Sequence, residues 1–320
     1  MQQVRSTVEP EFDQVNQLII AQLESDVDMV ENVGHYIVDA GGKRLRPLLV
    51  LLSAKALGQC SPAHVKFAAV VEFIHTATLL HDDVVDLSSL RRGRPTANAE
   101  FGNAPSVLVG DFLYTRAFQL MVQLNDMALL EHMADTTNTI AEGEVLQLVR
   151  AGDAQTSAAQ YLEVISRKTA ILFGAACFGA GRLAGADTEV CNALHSYGLN
   201  LGIAFQMIDD VLDYDGDAAT MGKNVGDDLT EGKPTLPLIH CMSHGTAAER
   251  ELLQSAITQK RSDQLDQILA AVRRCGSLEY TRDQARAYHD KALLALEGID
   301  AGRSKDALQR LAALSIDRDH

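Results

Sequence analysis

The chain has 320 residues, of which 47% are hydrophobic and 22% are charged, and its formal net charge is −15. This composition is typical of a globular protein and excludes an intrinsically disordered chain. The acidic balance argues against a nucleic-acid-binding surface, which needs clustered basic residues to neutralise phosphates. It is compatible with a small phosphorylated substrate, because a bound metal ion inverts the charge of an acidic site.

The five cysteines are scattered along the chain and none forms a CxxC pair, which indicates reduced thiols in a cytoplasmic protein. Residues 1–13 are polar and acidic, unlike a signal peptide. No stretch approaches about 18 uninterrupted apolar residues, so we expect no membrane span.

The distribution of apolar residues predicts a series of helices. In chain order they cover residues 7–24, 27–39, 44–57, 62–89, 105–124, 126–151, 157–180, 188–215, 235–242, 247–258, 262–274, 278–296 and 303–314. Proline is absent between Ser106 and Lys233, which favours long helices there. No alternating run of β-branched residues predicts a strand. With no linker dividing the chain, we expect an all-α protein in which residues 1–320 form one helical domain.

Two predicted helical segments, 62–89 and residues 193–215 of the helix 188–215, are apolar nearly all round and should be buried. Each carries a DDxxD pattern near its end, formed by Asp82, Asp83 and Asp86 in the first and by Asp209, Asp210 and Asp213 in the second. Residues four apart share a helix face, so each pattern places like charges side by side, a repulsion that a cation offsets. Oxygen ligands without cysteine favour Mg²⁺. One such pattern fits a solvated acidic face equally well, whereas two copies favour metal binding.

Basic residues lie near these clusters in the sequence. Lys43, Arg44 and Arg46 surround a predicted helix start, where backbone N–H groups also attract anions. The others follow the two clusters or lie in an apolar helix, and they are Arg91, Arg92, Lys168, Lys223 and Lys233. Cations at helix ends are common, but their grouping near acidic motifs favours sites for anionic ligands.

His75 lies seven residues before Asp82, on nearly the same helix face. With Glu72 it forms an ExxH pattern like that of di-iron helical bundles, but the sequence has no second copy. A histidine on an apolar face is most often a hydrogen-bonded core residue. Its place on the cluster-bearing helix favours diphosphate binding instead.

Several segments resemble the trans-polyprenyl diphosphate synthases. They are Phe73 to Asp86 with Leu90 to Gly93, Gly41 to Pro47, Lys168-Thr169, Phe205 to Asp213 and Gly232 to Pro237, in the family's order. The segment Val107 to Phe118 is most similar to bacterial octaprenyl diphosphate synthases of quinone biosynthesis, a branch of that family. The resemblance covers about residues 30–240. It implies a bundle of long antiparallel helices around a deep central cavity, the isoprenoid synthase fold, and a homodimer.

The resemblance also implies a role for each motif residue. The six aspartates would bind about three Mg²⁺ ions that hold an allylic diphosphate, the substrate expected here being farnesyl diphosphate. Isopentenyl diphosphate would be bound by Lys43, Arg46, His75 and Arg92. The allylic group would be contacted by Arg91, Lys168, Thr169, Gln206, Lys223 and Lys233. Of these, Thr169 and Gln206 would face the allylic cation, which the isopentenyl double bond attacks in a dry pocket.

Product length is expected to depend on Ala77 and Thr78, five and four residues before Asp82. In the family, bulky residues there close the pocket early, so these small ones imply a product near C40. Met121 and Met133 are candidates for the channel floor, although ordinary core packing explains them equally well. Such an apolar product implies transient membrane contact at release.

Two other functions are compatible with parts of the sequence. A terpene cyclase shares the helical fold and one DDxxD, but it carries an Asn/Ser/Glu motif in place of the second. A non-catalytic subunit of a heteromeric synthase is expected to lose an aspartate motif, and both are intact here.

Overall fold

The structure, a computed structural model, describes residues 1–215 and 226–317. Helix accounts for 78% of the protein, which confirms the all-α prediction. Two strands of two residues each, Leu90–Arg91 and Arg94–Pro95, pair antiparallel. The sequence predicted no strand, because a hairpin this short is too brief to show alternation. Its turn residues Arg92 and Gly93 both have positive φ angles.

The helices, numbered in chain order over the described residues, agree with the predicted pattern except at short elements. They are α1 Gln2–Arg5, α2 Glu9–Ala21, α3 Asp28–Asp39, α4 Leu45–Ala56, α5 Pro62–Val85, α6 Ala97–Phe101, α7 Asn103–Gln123, α8 Met127–Arg150, α9 Ala158–Ile165, α10 Ile171–Leu183, α11 Thr188–Asp215, α12 Asp227–Thr230, α13 Leu236–His244, α14 Ala247–Gln259, α15 Leu265–Arg274, α16 Ser277–Ala295 and α17 Arg303–Ile316. The helix expected at 157–180 is interrupted by a π-helical turn, Ser166–Ala170. Helices α1, α6 and α12 are too short for a periodic apolar pattern, and the sequence does not predict them.

The chain divides into two compact units. The first unit comprises residues 1–137, 172–198 and 294–311, and the second comprises residues 138–171, 199–293 and 312–320. Every boundary between them falls within a helix. The single domain expected from the sequence stays a prediction.

Helix α5 is the central element of the first unit. It begins with Pro62, whose missing N–H is not needed at a helix start. The Ser61 N–H donates to His64 Nδ1 at 3.0 Å, which leaves the Nε2 proton for the carbonyl of Ala180 at 3.1 Å. Among the described residues this is the one helix long and apolar enough to cross a membrane, but 67% of its apolar window is buried inside the protein. Helix α5 is therefore the buried core helix that its sequence predicted.

In the second unit, two apolar clusters pack against the end of α11. Val211 and Tyr214 belong to one of them, with buried residues of α13, α14 and α15. Met207 and Ile208 belong to the other, with Tyr161 of α9. Because successive residues of α11 are held by one cluster or the other, the aspartates between them have a fixed orientation.

Candidate active site

The first aspartate cluster lies at the end of α5. Asp82 and Asp86 are half-buried and four residues apart, so they share a helix face. Asp83 is 1% exposed and accepts hydrogen bonds from Arg91 Nη2 at 2.7 Å and Nε at 3.0 Å. Burial raises the pKa of Asp83, and the Arg91 guanidinium opposes that rise. Asp83 therefore orients Arg91, one of the predicted diphosphate ligands.

A group of charged residues surrounds Glu72 on α5. Burial raises the pKa of Glu72, while Arg44, Arg46 and Arg92 lower it. Gly42 lies against this group, since a Cβ at that position would be 2.7 Å from the guanidinium nitrogens of Arg92. Three guanidinium groups near one carboxylate leave an excess of positive charge. This half-buried cationic cluster is suited to an anion such as a diphosphate.

His75 and Arg46 belong to the same part of the first unit. Burial lowers the pKa of His75 well below its usual range, and the charges of Arg46, Arg92 and Arg91 lower it further. Burial also lowers the pKa of Arg46 to about 10, and its guanidinium lies 4.4 Å from the centroid of the Phe173 ring. The structure thus brings together three predicted ligands of isopentenyl diphosphate, Arg46, His75 and Arg92. The fourth, Lys43, is exposed beside Gly42.

The second aspartate cluster lies near the end of α11. Asp209 is half-buried, whereas Asp210 and Asp213 are buried. Asp213 Oδ2 accepts the backbone N–H of Asp228 at 3.3 Å, and its carbonyl accepts the N–H of Gly226 at 2.9 Å. Asp213 therefore also holds the start of α12.

Asp210 is the centre of a hydrogen-bonded chain inside the second unit. Its Oδ2 accepts the Tyr161 hydroxyl at 2.6 Å, and its Oδ1 accepts Gln206 Nε2 at 2.9 Å. The Thr169 hydroxyl in turn donates to Gln206 Oε1 at 3.1 Å. Burial raises the pKa of Asp210 well above its usual range, and burial likewise raises the pKa of Tyr161. The chain connects the second aspartate cluster to both residues expected to face the cation.

Three consecutive residues of α8 hold the π-helical turn that carries Lys168 and Thr169. Glu142 pairs with Arg167 at 2.9 Å, and Glu144 pairs with Lys168 at 2.6 Å. Between them, Gly143 faces the turn so closely that a Cβ would lie 2.7 Å from the Lys168 backbone nitrogen. A π-helical turn is rare and often marks a functional site. Here it is fixed by two ion pairs and by direct contact of the backbones.

The second unit contains a pocket of about 110 Å³ between the π-helical turn and α11. Lys168, Thr169, Gln206 and Asp210 contribute to its wall. Lys233 also lines it and pairs with Glu231. The pocket therefore contains four of the six residues predicted to contact the allylic group. Of the other two, Arg91 belongs to the first unit, and Lys223 lies outside the described residues.

The four residues expected to determine product length all belong to the first unit. Ala77 is fully buried on α5, and the Thr78 hydroxyl donates to the carbonyl of His75 at 2.8 Å. Met121 of α7 and Met133 of α8 are at most 1% exposed. Burial fits either of the interpretations given for the methionines, and their role stays a prediction.

Several residues at these sites were not identified from the sequence. In the sequence, Glu72 stands out only as part of an ExxH pattern. Tyr161 and Glu144 belong to no motif, and nothing in the sequence links them to Asp210 or Lys168. Gly143 alone gave a signal, because an isolated glycine inside a helical pattern often marks close packing.

Comparisons with known proteins cover nearly the whole chain. A family model described as polyprenyl synthetase matches residues 27–274. The chain is 52% identical to the octaprenyl diphosphate synthase of Escherichia coli (strain K12) over 306 residues, 95% of each chain. It is 46% identical to the all-trans-nonaprenyl-diphosphate synthase (geranyl-diphosphate specific) of Rhodobacter capsulatus, over 99% of this chain and 98% of that one. A solved polyprenyl synthase from Caulobacter crescentus CB15, complexed with calcium and isoprenyl diphosphate, matches with a TM-score of 0.97 and 45% identity, over 100% of this chain and 98% of that one.

Proposed function

Because the chain belongs to the polyprenyl synthetase family, we propose that it condenses farnesyl diphosphate with successive isopentenyl diphosphates to octaprenyl diphosphate. The observation that carries this proposal is the pocket of the second unit, where Lys168, Thr169 and Gln206 adjoin the second aspartate cluster. Such a site offers a cation for a diphosphate and oxygen atoms for a carbocation. The identity to an octaprenyl diphosphate synthase over 95% of each chain supports the same activity.

The donor atoms of both aspartate clusters fit Mg²⁺, which prefers carboxylate oxygens and usually shares its coordination with substrate phosphates and water. Among residues 1–215 and 226–317, no group of three His, Cys, Asp or Glu side chains is arranged to hold a metal ion alone. About three bound ions would neutralise charge on the leaving diphosphate. The Caulobacter protein with calcium and isoprenyl diphosphate supports divalent binding in this family.

Within each cluster we assign different roles to the individual aspartates. Asp82 and Asp86 would contact metal, while Asp83 holds Arg91 in place as a diphosphate ligand. In the second cluster Asp209 and Asp213 would contact metal. The metal role of Asp83 and Asp210 stays a prediction, and their hydrogen bonds favour an indirect part in it.

The cationic cluster around Glu72 would bind isopentenyl diphosphate. Arg46 and Arg92 supply charge, and neutral His75 supplies a hydrogen-bond donor without adding to the repulsion between them. In the pocket of the second unit, Lys168 and Lys233 would bind the allylic diphosphate. Its C–O bond ionises, the isopentenyl double bond attacks the cation, and the proton leaves with the departing diphosphate.

A product near C40 is supported by the small, buried residue Ala77. Bulky residues there would shorten the space available to the growing chain. The similarity to octaprenyl and nonaprenyl synthases supports a long product.

We further propose a homodimer that functions in the cytoplasm and contacts membranes transiently to release its product. Leu108, Thr115 and Val122 recur every seven residues on α7 and are exposed, with Leu108 at 66% and Val122 at 64%. A seven-residue spacing on one helix face, with a leucine and a valine at its two ends, is typical of packing between helices. Light scattering should give the mass of a dimer, and Leu108→Lys with Val122→Lys should yield a monomer.

The experiment that tests the function is incubation of the purified protein with Mg²⁺ and farnesyl diphosphate, with and without isopentenyl diphosphate. We expect elongation only when isopentenyl diphosphate is present. A cyclic hydrocarbon formed from farnesyl diphosphate alone would establish a terpene cyclase. No elongation by the protein alone, restored by a second subunit, would establish a partner subunit.

A further inference from the structure

The orientation of the Gln206 side-chain amide decides what the pocket presents to a cation. An amide has an acceptor oxygen at one end and an NH2 donor group at the other. Turned one way, Gln206 presents partial negative charge to the pocket. Turned the other way, it presents N–H groups that would repel a carbocation.

We infer that Tyr161 and Asp210 are positioning residues that hold the Gln206 oxygen, rather than its NH2 group, toward Thr169 and the allylic cation. This inference rests on the proposed function. It assigns Asp210 a part in catalysis through Gln206, and it adds Tyr161, a residue outside every motif, to the machinery.

The direction of each hydrogen bond in the chain supports this assignment. Asp210 Oδ1 accepts a hydrogen bond from Gln206 Nε2 at 2.9 Å, which fixes the NH2 group of the amide on the side of Asp210. The Tyr161 hydroxyl, 2.6 Å from Oδ2, holds the carboxylate in that orientation from the other side. The amide oxygen is thereby turned toward Thr169.

The hydrogen bond to Gln206 also fixes the orientation of the Thr169 hydroxyl. Its only proton is donated to Gln206 Oε1 at 3.1 Å, so the lone pairs of Thr169 Oγ1 remain for other partners. Both side chains line the pocket. The fixed side chain of Asp210 therefore directs two oxygen atoms, one on Gln206 and one on Thr169, toward the substrate.

The surroundings make the chain rigid. Asp210 is 3% exposed and Tyr161 is 5% exposed, so water does not compete for their hydrogen bonds. Tyr161 packs in the apolar cluster that includes Met207 and Ile208, neighbours of Gln206 along α11. A group oriented before the reaction stabilises charge as it develops, without a cost of reorganisation in the transition state.

The test uses Tyr161→Phe, Asp210→Asn and the double variant Asp210→Asn with Gln206→Glu. An asparagine at position 210 no longer dictates the amide orientation, so kcat should fall by about 100-fold, the low end of the range for loss of one electrostatic stabiliser. Tyr161→Phe should lower kcat by about tenfold. In the double variant, the new carboxylate at position 206 has oxygen at both ends and accepts a hydrogen bond from the new amide at position 210. The double variant should therefore recover at least about tenfold of the loss in Asp210→Asn.

Three further readouts separate positioning from other roles. The KM of farnesyl diphosphate and the Kd of its unreactive thiolodiphosphate analogue, measured by calorimetry, should stay within about twofold of wild type, because the interaction operates in the transition state. The Mg²⁺ concentration giving half-maximal rate should not change. Tyr288→Phe removes a hydroxyl from a tyrosine packed against the same apolar cluster and should leave kcat unchanged.

The results have distinct meanings. If wild type does not elongate farnesyl diphosphate, the proposed function is wrong. If wild type is active and Asp210→Asn keeps kcat within twofold, or if its Mg²⁺ requirement rises instead, the positioning role is wrong and Asp210 is a metal ligand or a bystander. Should Asp210→Asn fail to fold, Tyr161→Phe decides the question, and wild-type kcat in that variant overturns the inference.

Discussion

Gly143 is the residue whose substitution most directly tests how the π-helical turn is held. In Gly143→Ala, the new Cβ would lie 2.7 Å from the Lys168 backbone nitrogen and 2.9 Å from the Arg167 carbonyl carbon. Ordinary van der Waals contact begins at 3.4 Å, so the turn must move away by about 0.7 Å. Both neighbours are backbone atoms, and neither can yield by rotating a side chain. The turn that carries Lys168 and Thr169 should therefore shift as a whole.

The expected effect on stability is small, and that on activity is large. Overpacking costs about 1–3 kcal/mol, while replacing a glycine inside a helix with alanine returns about 1 kcal/mol. The free energy of unfolding should thus fall by about 1 kcal/mol. Displacement of catalytic groups by roughly an ångström can lower the rate about 100-fold. We expect kcat to fall by about that factor, while the KM of isopentenyl diphosphate, whose proposed site lies in the first unit, stays unchanged.

Steady-state kinetics and urea unfolding of the same preparations measure both effects. Gly298→Ala is the matched control, since a Cβ there has no neighbour within 4 Å. Wild-type kcat in Gly143→Ala would show that the turn is not held by this contact.

Three other substitutions test separate parts of the account. Asp82→Ala should lower kcat by more than about 100-fold with an unchanged thermal midpoint, and activity within about tenfold of wild type would exclude its metal role. Ala77→Tyr should shorten the product to about C15–C20 while turnover continues, and chromatography showing full-length product would contradict the channel assignment. Burial lowers the pKa of His132 from 6.5 to about 4, so the unfolded chain binds this proton more readily and stability should fall as pH drops from 6.5 toward 4. In urea unfolding, His132→Phe should lose less stability than wild type between pH 7.5 and pH 5. The difference should be on the order of 1 kcal/mol after allowance for the partly exposed ring. Equal losses in the two proteins would refute the assignment.

The sequence predicted the long helices well because apolar periodicity is a local property. Helices such as α5 and α8 repeat their pattern over many turns, and their predicted limits differ from the observed ones by a few residues. The hairpin at Leu90–Pro95 and the π-helical turn at Ser166–Ala170 were not predicted. Both are short, and the turn depends on contacts with α8, which a local pattern does not contain.

The motif residues of the candidate site could be predicted, while the residues that orient them could not. Asp82, Asp209 and Lys168 stand in recognisable patterns of acidic and basic residues. Tyr161 contacts Asp210 across 49 positions of the chain. Glu144 reaches Lys168 from a different helix. Such partners are brought together by tertiary packing, so neither charge spacing nor hydrophobic periodicity identifies them.

The length of the product formed by the purified protein tests the central claim most directly. With Mg²⁺, farnesyl diphosphate and excess isopentenyl diphosphate, the products would be dephosphorylated and sized by chromatography with mass detection. We predict that elongation ends at C40, with shorter all-trans intermediates at early times. Products that end at C20, or no elongation of the C15 primer at all, would contradict a long-chain synthase.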